Sequence, residues 1–265
     1  MKYDTIGVGY DTTRRPDPRL AERILALLEP VTDGRYLEVA CGTGNYTHVL
    51  QARGLDIVGV DESTTMLTAA RAKYPAIAWL QADVADLPFG DGSFDGAICT
   101  QAIHHFPNLA GALSEMARVL HAGRLVILTA TRDQMRHYWL NAYFPRAMRR
   151  AIEQLPSDRQ LQAAIDQAQL RVVGTEPWSV PSDPIDLFLY SGKHNPSLYL
   201  DARVRQGIST FANLAEAIEV DTGLACLQRD IATGTIAQVM ARYASAEGDY
   251  LFLVAQRADC SRAAR

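Results

Sequence analysis

The stretch from Tyr36 to Thr47, reading Tyr-Leu-Glu-Val-Ala-Cys-Gly-Thr-Gly-Asn-Tyr-Thr, restricts this chain more than any other. It predicts a short buried strand that stops at a small-residue turn and restarts as a helix. Ala40, Gly42 and Gly44 follow at i, i+2 and i+4. Side chains this small let a ligand approach the backbone, and glycine accepts angles that other residues resist. A helix that starts there aims free N–H groups and its positive end back at the turn. Such a turn suits a nucleotide-like ligand at the edge of a parallel sheet. Tight strand–helix packing produces the same pattern, so the following strands decide.

Gly54 to Asp61 reads as a second strand that ends in an acid, nineteen residues beyond Gly42. An acid in that place can accept hydrogen bonds from both ribose hydroxyls. Gln81 to Phe89 repeats the theme, with Asp83 just past a strand end and a proline turn after it. Phe94 to Cys99 predicts strand four, and Gln101, His104 and His105 follow its carboxyl end, where a parallel sheet presents ligand-facing residues. His121–Arg124 reads as a turn into strand five, Leu125–Thr129, whose unbroken aliphatic run is buried on both faces. Repeated strand–helix alternation means a parallel sheet with right-handed crossovers.

On these residues the chain resembles a class I S-adenosylmethionine (SAM)-dependent methyltransferase, of the ubiquinone/menaquinone-biosynthesis type. The resemblance covers roughly residues 34–131. The family's first motif, an acid followed by three alternate glycines, falls on Glu38, Ala40, Gly42 and Gly44, with alanine in the first glycine's place. The resemblance implies an α/β, Rossmann-like sheet of seven strands, one of them antiparallel, flanked by helices. It implies that Glu38 lies near the methionine part of SAM and that Gly42 and Gly44 form the floor beneath it. Asp61 would hold the ribose, Met66 would pack near the adenine, and Asp83 with the Val84 backbone would read the adenine edge. Gln101 joins this cofactor set. His105, ahead of His104, would stand beside the transferred methyl group. A histidine with an ordinary pKa near ~6.5 is mostly neutral at pH 7 and suits a general base.

Outside the motifs the readings are more individual. Tyr10 and Arg14 precede the first helix and are expected to approach the methionine carboxylate, where a guanidinium pairs with a carboxylate bidentately. Asp17 and Pro18 open a helix carrying Leu20, Ile24, Leu27 and Leu28. Met135–Pro145 is dense in aromatics, and helical spacing groups Tyr138 with Asn141, polar tips suited to a substrate pocket. The expected division is a core of residues 1–180 and 249–257, with 1–33 as N-terminal cover and helix. Residues 181–248 would form a mainly helical lid or substrate insertion, with Phe188, Tyr190, Lys193, His194, Tyr199 and Phe211 as pocket contributors. Residues 258–265 are a polar tail.

A formal net charge of −4 argues against a nucleic-acid partner, which needs a basic face. No apolar run approaches the ~18 residues that span a membrane, no signal peptide is seen, and the cytoplasm is expected. Cys41, Cys99, Cys226 and Cys260 show no metal spacing, and no carboxylate cluster suggests a metal. The expected reaction is therefore metal-independent methyl transfer to a small molecule, and the oligomeric state is left open by the pattern. A nicotinamide oxidoreductase would need glycine where Thr47 stands. The other readings are an enzyme that cyclises or transfers the aminobutyrate arm of SAM, releasing methylthioadenosine, and a non-enzymatic binding protein on the same fold.

Overall fold

The computed structural model describes residues 10–258; the rest of the N-terminal cover, the side chain of Tyr10 and nearly all of the tail lie outside the described residues. Seven strands form one sheet in the order β3-β2-β1-β4-β5-β7-β6. β1 (Arg35–Val39), β2 (Asp56–Asp61), β3 (Trp79–Gln81), β4 (Phe94–Thr100) and β5 (Leu120–Thr129) are parallel. β7 (Tyr250–Arg257) runs antiparallel between β5 and β6 (Leu170–Trp178), as expected. Successive side chains of a strand point to opposite faces. Tyr36 and Ile57 thus join one core with Leu20, Ile24 and Leu28, while Leu37 and Val58 join another with Leu113 and Met116.

The helices begin with α1 (Tyr10–Thr13) and α2 (Pro18–Leu28), then α3 (Asn45–Gln51), α4 (Thr64–Lys73) and α5 (Leu109–Val119). Their starts are written in single residues. Asp17 accepts from the Arg19 amide at 2.9 Å, Ser63 from the Met66 amide at 3.3 Å and Asn108 from the Gly111 amide at 3.0 Å.

Two stretches differ from expectation. β5 starts at Leu120, so His121–Arg124 runs within the strand and pairs with β4 through a bulge between Phe94 and Gly96. Gly123 permits that approach, since a Cβ there would stand 1.5 Å from the Asp95 carbonyl oxygen. The aromatic stretch is not one helix. α6 (Arg132–Arg136) ends first, a short 3₁₀ turn covers Trp139–Ala142, and α7 (Pro145–Gln154) follows. Asn141 closes that turn by donating from Nδ2 to the carbonyls of Tyr138 (2.7 Å) and Met135 (2.8 Å). Its polar tip is used by the backbone and it does not line the cavity described below.

After α8 (Asp158–Gln167) and β6, the segment between the last two strands carries α9 (Ala202–Gln206), α10 (Ala217–Thr233) and α11 (Ile236–Arg242). It packs on the first core through Tyr190, Tyr199, Val204, Ile208 and Leu227.

Gly44 has φ +76°, and a Cβ there would stand 2.2 Å from the Trp79 ring. Gly44→Ala therefore combines left-handed strain of about 1–2 kcal/mol with overpacking of about 1–3 kcal/mol. The expected loss is about 2–5 kcal/mol, measured by denaturant unfolding.

Candidate active site

The carboxyl ends of β1, β2 and β4, with the residues that follow β3 and β5, open onto one cavity of about 300 Å³. That is the lower range for small-molecule sites, and it lies where parallel sheets bind ligands. Glu38, Ala40, Gly42, Asp61, Met66, Asp83, Val84, Gln101, His104, His105 and Arg14 all line it. Gly44 does not. Its small size serves the contact with Trp79, so of the two glycines Gly42 alone lines the cavity. Gly42 has φ +56°, and nothing stands within 4 Å of the place its Cβ would take. Ala40 holds φ +55°, at a cost of about 1–2 kcal/mol for an L residue.

The glycine turn is held by Asp61, which accepts from the Gly42 amide at 2.8 Å and the Ser63 amide at 2.9 Å. Burial pushes the Asp61 carboxyl above its ordinary value against the pull of those two donors. Glu38 is 1% exposed and accepts from Thr47 Oγ1 at 2.6 Å and Thr100 Oγ1 at 3.0 Å. Burial raises its pKa to about 7, more than the two hydroxyls lower it, and the nearby Asp61 adds to the rise. Two carboxyls held with raised pKa on one wall leave a place where a cation relieves both. Asp83 is exposed and accepts from the Ala85 amide at 2.9 Å, which shapes the turn after β3.

The N-terminal segment crosses this turn and ties it to the segment between β6 and β7. Asp11 accepts from Thr43 Oγ1 at 2.7 Å and Asn45 Nδ2 at 3.0 Å, and pairs with Lys73 at 2.8 Å. Three residues on, Arg14 Nε donates to Asp186 at 2.6 Å, and its guanidinium lies 4.7 Å from the Phe188 ring centre. Tyr46 in α3 donates to the other Asp186 oxygen at 3.1 Å. Burial raises the Asp186 carboxyl although Arg14 and Tyr46 lower it. Asp186 thus joins three parts of the chain at the cavity wall.

The lining from segments beyond β5 is mostly apolar, with Ala130, Met135, Ala151, Leu155, Leu189, Ile208 and Tyr250 beside the polar Gln154, Asp186, Ser209 and Thr210. His104 and His105 also line the cavity, with ring centres 3.9 Å apart. Tyr138, expected in the site, is 2% exposed and lies outside the cavity wall, its hydroxyl hydrogen-bonded to that of Tyr199. It lies one layer back, tilted against Tyr190 with ring centres 4.3 Å apart, and Tyr190 in turn meets the cavity-lining Tyr250 at 4.9 Å. Of the expected contributors from the last segment, only Phe188 lines the cavity. Lys193 pairs with Asp249 at 2.8 Å, His194 contacts the Val180 carbonyl, and Tyr190, Tyr199 and Phe211 pack in the core. Asp186, Thr100, Ile208, Thr210 and Tyr250 line the cavity without having been expected. Among the described residues, no group of three or more His, Cys, Asp or Glu is placed to hold a metal ion, and no helix is long and apolar enough to cross a membrane.

The family model for the methyltransferase domain matches residues 37–128. A solved candidate methyltransferase from an antibiotic biosynthesis pathway of Anabaena variabilis is similar over almost its whole length. It is 33% identical with a TM-score of 0.82, covering 91% of this chain and 98% of that one. An uncharacterized methyltransferase of Mycobacterium tuberculosis is 34% identical over 131 residues, 49% of this chain and 54% of the relative. The demethylmenaquinone methyltransferase of Thermus thermophilus is 35% identical over 138 residues, 48% of this chain and 63% of the relative. The chain spans about half the length of the curated relatives it matches. Matched at strands β1 to β5 by the domain model and across nearly its full length by the Anabaena structure, the chain belongs to the class I S-adenosylmethionine-dependent methyltransferases.

Proposed function

We infer that the chain moves a methyl group from SAM to a small-molecule acceptor by in-line displacement without a metal ion. The observation that carries this reading is one cavity with two unlike sets of lining residues. Three acids, Glu38, Asp61 and Asp83, join Gly42 at or just past successive strand ends, while the lining from beyond β5 is mostly apolar, and His104 and His105 line the same cavity. The fit to SAM is chemical. Asp61 and Asp83, both in the cavity lining, would read the ribose and adenine, Met66 offers a soft apolar face, and Glu38 with its raised pKa suits a cationic centre.

SAM supplies a methyl group on a positively charged sulfur. The chain's residues bind, orient and exclude water, and orientation alone can supply ~7–11 kcal/mol. Arg14, fixed by Asp186 and Phe188, takes the donor's carboxylate, and the segment of residues 181–248 serves as the acceptor wall. The enclosed volume and apolar lining fit a small molecule, and the antibiotic-pathway origin of the Anabaena protein agrees with that. His105 takes the acceptor's proton. His105→Ala is expected to lower kcat by roughly 10²–10⁴-fold while SAM affinity changes little. The primary test is calorimetric titration of the protein with SAM, then product identification. Absence of binding overturns the reading, and methylthioadenosine in place of the demethylated thioether overturns the methyl-transfer step.

A further inference from the structure

Gln101 carries two irregularities at once. It is a non-glycine residue with φ +55°, in the left-handed region that L side chains disfavour by about 1–2 kcal/mol. Its amide N donates to the Leu128 carbonyl at 2.8 Å, so the backbone is pinned between the ends of β4 and β5. The side chain lines the cavity beside Thr100, His104 and His105, and its buried Nε2 has no hydrogen-bond partner among the described residues. A buried donor without a partner costs free energy, and strain of this kind is kept where it positions a functional group.

We propose that Gln101 Nε2 donates a hydrogen bond to the oxygen of a phenolic or enolic methyl acceptor, the substrate class that this donor selects. The chemistry of the nucleophile carries the choice. A neutral amine has one lone pair, which must attack carbon, so an N–H donor aimed at it competes with the reaction. A thiolate accepts such hydrogen bonds weakly. A phenol or enol oxygen keeps a second lone pair for the amide while the first attacks, and its proton needs a base such as the adjacent imidazoles. The O–H proton passes to His105 and the oxygen forms a bond to the methyl carbon. The C–S bonding pair remains on sulfur, so the products are a methyl ether and a neutral thioether. An acceptor methylated at the carbon next to an enol oxygen places that oxygen on Gln101 in the same way.

The assignment rests on the proposed donor site, and its test separates the two. The protein is saturated with S-adenosylhomocysteine and titrated with 4-nitrophenol, whose phenolate is read by absorbance, across pH. The bound phenol should ionise at least one pH unit below the free one, because a hydrogen bond to a charged group is strong. Gln101→Ala should return most of that shift, and Gln101→Glu, which replaces a donor by an anion, should push the phenol above its free value. The assignment moves Gln101 from the cofactor set, where the family resemblance put it, to the acceptor, so S-adenosylhomocysteine affinity should change by less than about threefold in both. A phenol that ionises as low in Gln101→Ala as in the wild type, no binding of 4-nitrophenol to the saturated wild type, or a large loss of S-adenosylhomocysteine affinity each overturns the assignment. A wild type that binds no S-adenosylhomocysteine overturns the donor reading instead.

Discussion

Glu38→Gln should leave the ligand-free protein more stable than the parent at pH 8 and about equal to it at pH 5. The carboxyl is 1% exposed, and burial raises its pKa from the ordinary 4.5 to about 7 in the folded state. An acid whose folded pKa lies above its unfolded value binds its proton more tightly when folded. Its contribution to stability is complete below about pH 4.5 and is lost as pH rises through about 7. At 1.36 kcal/mol per pH unit the rise amounts to about 3 kcal/mol, lost when the buried carboxyl must ionise. A glutamine keeps acceptor and donor atoms for the Thr47 and Thr100 hydroxyls and has no charge to bury. Denaturant unfolding at the two pH values measures the difference, and parallel profiles for parent and variant would contradict it. On the proposed reading the donor would turn the same carboxyl to advantage, since a sulfonium and an ammonium group nearby favour the ionised form. SAM binding near pH 6.5 should therefore release a proton, seen as a buffer-dependent enthalpy, and Glu38→Gln should lose both the release and about 10–100-fold in SAM affinity.

The individual strands and helices were legible because local signals write them, while the seven-stranded sheet with one antiparallel strand came from the family resemblance. Aliphatic runs, acids at strand ends and capping residues at Asp17, Ser63 and Asn108 each act within a few residues of themselves. The cavity lining at the strand ends was legible for the same reason, since Glu38, Gly42, Asp61 and Asp83 stand at or just past the ends of strands that alternation predicts. The lining contributed from beyond β5 was not. Asp186 reaches the cavity by accepting from Arg14 and Tyr46, 172 and 140 residues away in sequence, and no spacing pattern announces such pairs. Tyr138 misled because a polar tip in an aromatic stretch reads the same whether it faces a ligand or Tyr199. Gly44 misled because glycine answers equally to a ligand's approach and to a tryptophan ring. The strained φ values at Ala40 and Gln101 had no signal at all, since neither residue type advertises the left-handed region.

Asp61→Ala should weaken SAM by at least about 100-fold, and the loss should extend to adenosine alone. Asp61 carries two loads. Its carboxylate would receive both ribose hydroxyls, and it already receives the Gly42 and Ser63 amides that set the glycine turn. Hydrogen bonds to a charged group contribute about 1.5–3 kcal/mol each, so two lost ribose contacts account for the factor before any change in the turn. Asp61→Asn keeps one acceptor oxygen and should lose roughly tenfold. Asp83 is solvent-exposed and accepts only from the Ala85 amide, so Asp83→Ala should cost about tenfold or less. Adenosine makes the result specific to position. It lacks the methionine arm, so Glu38→Gln should leave its affinity nearly unchanged while Asp61→Ala removes it. The two variants then divide the cavity into a sugar-binding wall and a cation-binding wall. Equal losses of SAM and adenosine in Glu38→Gln, or folded Asp61→Ala protein that holds both as tightly as the parent, would mean that the donor does not lie over Gly42.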